Sequence, residues 1–150
     1  MNDPIALRRH FSARLVPMAR AYRRYLDRGL AGLSLSHTAA LAVMLIGRSE
    51  EGLRQGTLAD QLGVEAPSVV PVVDQLERSG LVERRVDATD KRARLLHLTS
   101  EGTALAVEVE ARTASIRAEL FAGIEDADLQ AASRVLDKLH AVFALSDDRE

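Results

Sequence analysis

The chain has 150 residues, of which 47% are apolar and 28% charged, with a formal net charge of −2. That length suits one ordinary domain, and that balance excludes both a disordered segment and a membrane-embedded protein. No cysteine is present, which excludes disulfides, thiolate metal sites, cysteine nucleophiles and thiol redox switches.

The opening stretch MNDPIALRRHFSARL lacks the apolar segment and cleavage site of a secretory signal, so a cytoplasmic protein is expected. From Ile5 to about Arg28, residues Leu7, Phe11, Leu15, Met18, Tyr22 and Leu26 recur every three or four positions, the period of an amphipathic helix. Pro17 removes a backbone donor inside it and predicts a kink near residues 13–17, with Gly29 and Gly32 ending the helix. Ser36 is placed to cap a second helix reaching Ile46 or Arg48. Its apolar run Ala39–Ile46 predicts burial nearly all round, yet falls far short of the roughly 20 residues that span a bilayer.

After the polar loop SEEGLRQG, Thr57 with Asp60 three residues on resembles a capping box and predicts a short helix over 57–62. Gly63 follows, then an amphipathic stretch from about Ala66 to Arg78 with Gly80 as a left-handed stop. Two short helices around a glycine turn are the pattern of a helix-turn-helix, whose second helix can enter the DNA major groove. LVERRV and ARLLHLT, flanking the polar DATDKR, predict a β-hairpin with a charged tip, a wing. From Thr99 a helix carries Leu105, Val109, Ile116 and Leu120 and breaks near Gly123. The last helix, about Asp126 to Leu145, carries Leu129, Leu136, Leu139 and Phe143.

Charge is polarised along this order. Residues 1–29 hold seven Arg against Asp3 and Asp27, a net of +5, whereas residues 100–150 carry −6 and residues 53–99 balance seven charges of each sign. A nucleic-acid footprint must therefore be local. The terminal helices carry apolar stripes that a small central module cannot cover, which predicts pairing across a symmetric dimer.

The segment LADQLGVEAPSVVPVVDQLERSGLVERRVDATDKRARLLHLTSEG, in this order of helices and wing, resembles the MarR/SlyA family of transcriptional regulators. Its most specific elements are Gly80-Leu81-Val82-Glu83-Arg84-Arg85, Asp90-Lys91-Arg92-Ala93 and Leu98-Thr99-Ser100-Glu101-Gly102, and PSVVPVVDQLE looks closest to the SlyA branch. The resemblance implies a single domain over 1–150, mainly α with a small β-hairpin wing. In it a winged helix-turn-helix, about 36–99, is flanked by dimerisation helices at about 5–29 and 101–145. It also implies a homodimeric repressor of a promoter near its own gene, bound to a pseudo-palindromic operator and released by a small anionic or aromatic ligand.

The residues expected on DNA are Pro67, Ser68, Val69, Val70, Val72 and Gln75 in the recognition helix and Asp90, Lys91, Arg92 and Arg94 in the wing. The three wing cations suit phosphates or a narrow minor groove. Asp90 repels DNA and is expected to orient a neighbouring Arg, or else to form the turn. Relatives tend to carry Arg where this chain has Pro71, so no guanine-reading Arg is present and specificity is expected to lean on the wing and on DNA shape. If the helix starts at Pro67, Pro71 breaks a bond to the carbonyl of residue 67; if Ser68 caps it, Pro71 falls in the first turn. A loosened first turn is the expectation.

By resemblance, a ligand pocket would be framed by Arg14, Pro17 and Met18 of the first helix and by Ser36, His37, Thr38 and Ala40 of the second, with Arg14 either anchoring a carboxylate or serving as an ordinary surface Arg or interface salt bridge. Pro17 stands where SlyA-like sequences tend to carry a basic residue. The four histidines are scattered with no i, i+4 pair, so no metal is expected, and no cofactor; the absence of P-loop, GxSxG, HExxH and GxGxxG motifs argues against an enzyme. The rival reading is a winged-helix protein-interaction module with weak or non-specific DNA binding.

Overall fold

A computed structural model describes residues 3–33 and 35–147. Six helices and a hairpin follow in order: α1 (Pro4–Gly29), α2 (His37–Gly47), α3 (Gln55–Leu62), α4 (Ala66–Arg78), β1 (Val82–Val86), β2 (Arg94–Leu98), α5 (Ser100–Phe121) and α6 (Asp126–Asp147). The chain divides into two compact units, Met1–Ile116 and Arg117–Glu150, the boundary falling within α5.

Asp3 caps α1, accepting from the Ile5 amide at 2.9 Å, and Pro4 takes the first helical position, where its missing N–H costs nothing. The helix runs unbroken through Pro17. Ser36 caps α2 as the sequence predicts, accepting from the Ala39 amide at 3.2 Å.

Two faces of α2 feed two clusters, which explains its all-round apolar character. One face (Ala39, Ala42, Val43 and Ile46) packs with Leu53, Leu58, Val69, Val73, Leu76, Val82 and Leu96, the core of the central module. The other (Ala40 and Met44) packs with Leu26, Leu30, Val109 and Ile116, fastening α1 and α5 to it.

Helix α3 starts at Gln55, two residues before the predicted start, and Thr57 lies inside it rather than capping it; Arg54 holds the cap position with no side-chain bond. The physical reason lies upstream. Leu53 pairs with Leu96, donating to its carbonyl at 3.0 Å and accepting from its amide at 2.8 Å, so the chain is extended up to Arg54 and turns helical directly after the hairpin contact.

Helices α3 and α4 end in the same way. At α3, Gly63 (φ +64) donates to the Asp60 carbonyl and Val64 to that of Ala59; at α4, Gly80 (φ +70) donates to Glu77 and Leu81 to Leu76. This is the paired closure of a Schellman motif, which needs a left-handed residue and so takes glycine. The hairpin is antiparallel with Val82 opposite Leu98 and Val86 opposite Arg94, leaving residues 87–93 as its tip.

Candidate nucleic-acid interface

Helix α4 begins at Ala66 with Glu65 at its cap, so Ser68 is not the cap. The Ser68 amide donates to the Glu65 carbonyl at 2.9 Å, an i→i+3 bond of the kind common at helix starts. Pro71 sits in the helix interior, and the helix continues past it to Arg78.

The four valines of this helix divide by face. Val73 is fully buried and Val69 is 1% exposed, both packed beside Leu76 in the core, while Val72 is half-buried against it. Val69 is thus a core residue, which corrects its placement in the DNA-facing set, and only the outer part of Val72 faces solvent. Pro67, Ser68, Val70, Pro71 and Gln75 form the exposed face.

Arg84 of β1 fixes this helix to the hairpin. It donates to Asp74 Oδ1 at 2.7 Å, pairs with Glu77, and reaches Gln55 Oε1 at 3.4 Å, neutralising two carboxylates of α4. This network links residues up to 29 positions apart and was not anticipated from the sequence.

A second unforeseen network builds the wing tip. Asp87 is only 7% exposed and accepts from the Thr89 amide and hydroxyl, each at 2.8 Å, and from Arg54 at 3.0 Å. The backbone bond from Thr89, then its hydroxyl and the Arg54 guanidinium, lower its pKa from the ordinary 3.8 to about 2. A carboxylate depressed in the folded state stabilises it above its unfolded pKa, and that contribution fades as pH falls through the window from about 4 to about 2. Asp87→Asn should therefore be less stable than the parent at neutral pH and lose less stability across that window, as read by urea unfolding at stepped pH. Equal slopes for the two proteins would rule out this role for Asp87.

Asp90 accepts from the Arg92 amide at 3.1 Å, while the Arg92 Nε lies 3.7 Å away. Its hydrogen bond is thus that of a turn-forming Asp. The Arg92 side chain is 96% exposed, and Lys91 and Arg94 are exposed beside it.

The residues expected to frame a ligand lie on α1 and at the start of α2. Arg14 and Met18 are exposed on α1, Ser36 is spent on its cap, His37 pairs with Asp27, Thr38 lies 3.4 Å from the His37 ring, and Ala40 is core. A groove of about 690 Å³ opens between the end of α2, the hairpin and α5, lined by Met44, Arg48, Arg85, His97, Ala106 and Glu110 among others, and none of these expected residues lines it. Arg48 spans it in a bidentate pair with Glu110, at 2.5 and 3.2 Å.

A model of the MarR family matches residues 31–93, the stretch that holds α2, the helix-turn-helix and most of the hairpin. The transcriptional regulator PA3341 is 34% identical, with a TM-score of 0.81 over 89% of this chain and 98% of that one. The chain belongs to the MarR family. Another solved structure, CouR from Rhodococcus jostii RHA1 bound to p-coumaroyl-CoA, is similar to this MarR-family chain at 26% identity and a TM-score of 0.74, covering 83% of this chain and 87% of that one. The regulator SlyA shares the fold at a TM-score of 0.75 and 18% identity, over 89% of this chain and 94% of that one. SlyA is thus one of several similar structures rather than a distinguishing branch. The architecture is mainly helical with a two-stranded hairpin, the winged helix-turn-helix of a MarR-family transcriptional regulator. Among the described residues no helix is long and apolar enough to cross a membrane.

Proposed function

We propose that this chain is a homodimeric repressor acting on a pseudo-palindromic operator near its own gene, released by a small anionic or aromatic ligand. The observation that carries the DNA-binding part is the exposed α4 face beside an ordered hairpin tip bearing Lys91, Arg92 and Arg94. In this reading Pro67, Ser68, Val70 and Gln75 face the major groove, the wing cations take phosphates or the minor groove, and Val69 supports the helix from behind. The family consists of transcriptional regulators, and no catalytic role is proposed.

Dimerisation is supported by apolar side chains left exposed on α1 (Ile5, Leu7, Phe11, Val16 and Met18) and on α6 (Leu136, Val142, Phe143 and Leu145). Such stripes on long helices are what a second copy covers, and the excess of Arg on α1 complements the acidic C-terminal third. For the ligand, CouR with its acyl-CoA supports an anionic, aromatic-bearing effector, and α1 offers Arg14 and Met18 to it.

The test is a titration of the purified protein onto its own upstream DNA and onto random DNA at two salt concentrations, with the mass of the free protein from sedimentation. Tighter binding to its own upstream DNA by a species of two chains supports the proposal. Equal, steeply salt-dependent binding to both would remove sequence specificity, and no binding to either would favour the protein-interaction module.

Pro71 supplies a sharper check. It sits on the exposed face of α4 and offers no hydrogen bond to a base edge. Pro71→Arg restores an intrahelical N–H and adds a guanidinium toward the groove, so operator affinity should rise about tenfold. A mobility-shift titration at fixed salt that shows no gain would place this position away from the bases.

A further inference from the structure

The closing bonds of α3 use the carbonyls of Ala59 and Asp60 and leave those of Leu62 and Gly63 for another donor. These groups lie at the negative end of the helix, in the turn that separates the two helices of the DNA-binding motif. Arg23 of α1 supplies the donor: its Nη2 reaches the Gly63 carbonyl at 2.9 Å and the Leu62 carbonyl at 3.3 Å. A guanidinium over two carbonyls at a helix C-terminus is a charge-assisted contact, stronger than a neutral hydrogen bond.

This contact joins segments about 40 positions apart and of different character. Three residues on, α1 is anchored by Leu26, with Leu30 just past its end, in the cluster with Val109, and Asp27 pairs with His37 at the start of α2. Toward its N-terminus the same helix exposes Ile5, Leu7 and Phe11. Arg23 therefore ties the turn ahead of α4 to the helix whose free stripe a second copy would cover.

We propose that Arg23 is a positioning residue for DNA binding: it pins the α3–α4 turn to α1 and so sets how α4 is presented to the groove. The inference rests on the DNA-binding reading above. Because two recognition helices must meet grooves one helical turn apart, a small rotation of each module is costly to specific binding and nearly neutral to non-specific binding.

The test is Arg23→Gln in the full chain, with Arg23→Lys as the conservative variant, read by amide hydrogen exchange and by DNA titration across salt. Arg23→Gln should speed exchange at the Gly63 and Val64 amides and weaken operator binding about tenfold, the scale of a lost charged hydrogen bond, with the salt slope and random-DNA binding unchanged. Arg23→Lys, which keeps a cation against the same carbonyls, should recover most of both. A salt slope lower by about one would make Arg23 a phosphate contact and overturn the inference. So would loss of the dimer, unchanged exchange at the turn, or unchanged operator affinity in a parent that binds its operator. Faster turn exchange in a parent that binds no operator would instead sink the DNA-binding reading and leave the tie from α1 to the turn standing.

Discussion

Replacing Lys91, Arg92 and Arg94 together by alanine is expected to weaken DNA binding by about a hundredfold near physiological salt and to flatten the dependence of log affinity on log salt by about three. The reasoning is electrostatic. Three exposed cations lie within four positions of the hairpin tip, and among the described residues the carboxylate that would compete with a phosphate for Arg92, that of Asp90, is 3.7 Å away. Each phosphate neutralised releases condensed counterions, so each lost contact subtracts about one from the slope. The tip itself should survive, because its order comes from Asp87, Thr89 and Arg54 rather than from the substituted side chains. Urea unfolding should therefore shift by no more than about 0.5 kcal/mol. If affinity falls while the slope stays fixed, the wing contributes shape recognition and not phosphate contacts. If neither changes, the wing does not touch DNA.

The central module was largely legible because its signals are local. Glycines at 63 and 80 close both helices, the hydrophobic period changes from helix to strand after Leu81, and Ser36 lies immediately before a long apolar run. The valines show where local reading fails. Val69, Val70, Val72 and Val73 are chemically identical, so composition could not divide them. Their phase could: Val69, Val73 and Leu76 stand four and three positions apart on one face, and Val70 falls outside it.

Thr57 failed for a different reason. Its spacing to Asp60 suits a capping box, yet the start of α3 is set by the tertiary pairing of Leu53 with Leu96, 43 positions away. The Arg54–Asp87 and Arg84–Asp74 pairs are of the same kind. Each joins residues of ordinary surface type, and nothing in a single sequence marks which arginine faces which carboxylate. Ser36 and His37 are polar side chains near the right helix ends, and the structure already engages them, one in a cap and the other with Asp27.

Gly102→Ala should destabilise the fold by about 3 kcal/mol in urea unfolding, against the direction that helix propensity predicts. Alanine is favoured over glycine in a helix by about 0.8–1 kcal/mol, and Gly102 lies in the first turn of α5. The obstacle is the corner that follows α4. A Cβ at Gly102 would overlap the Leu81 carbonyl oxygen and stand 3.0 Å from its carbon, with Leu98 at 3.3 Å. The Leu81 oxygen cannot swing aside as a side chain would, because it accepts from the Thr99 amide at 3.1 Å while the Leu81 amide closes α4. The Thr99 hydroxyl adds a bond to the Gly80 carbonyl at 2.6 Å and accepts from the Gly102 amide at 3.1 Å. The glycine of the Leu98-Thr99-Ser100-Glu101-Gly102 element is thus what lets α5 sit directly on the end of α4. Gly56 makes the control, since a Cβ there meets nothing within 4 Å inside α3. Gly56→Ala should stabilise by about 0.5–1 kcal/mol. If both substitutions stabilise alike, the close approach at Gly102 is relieved by a shift of α5, and the same shift should then appear as weaker operator binding through the displaced end of α4.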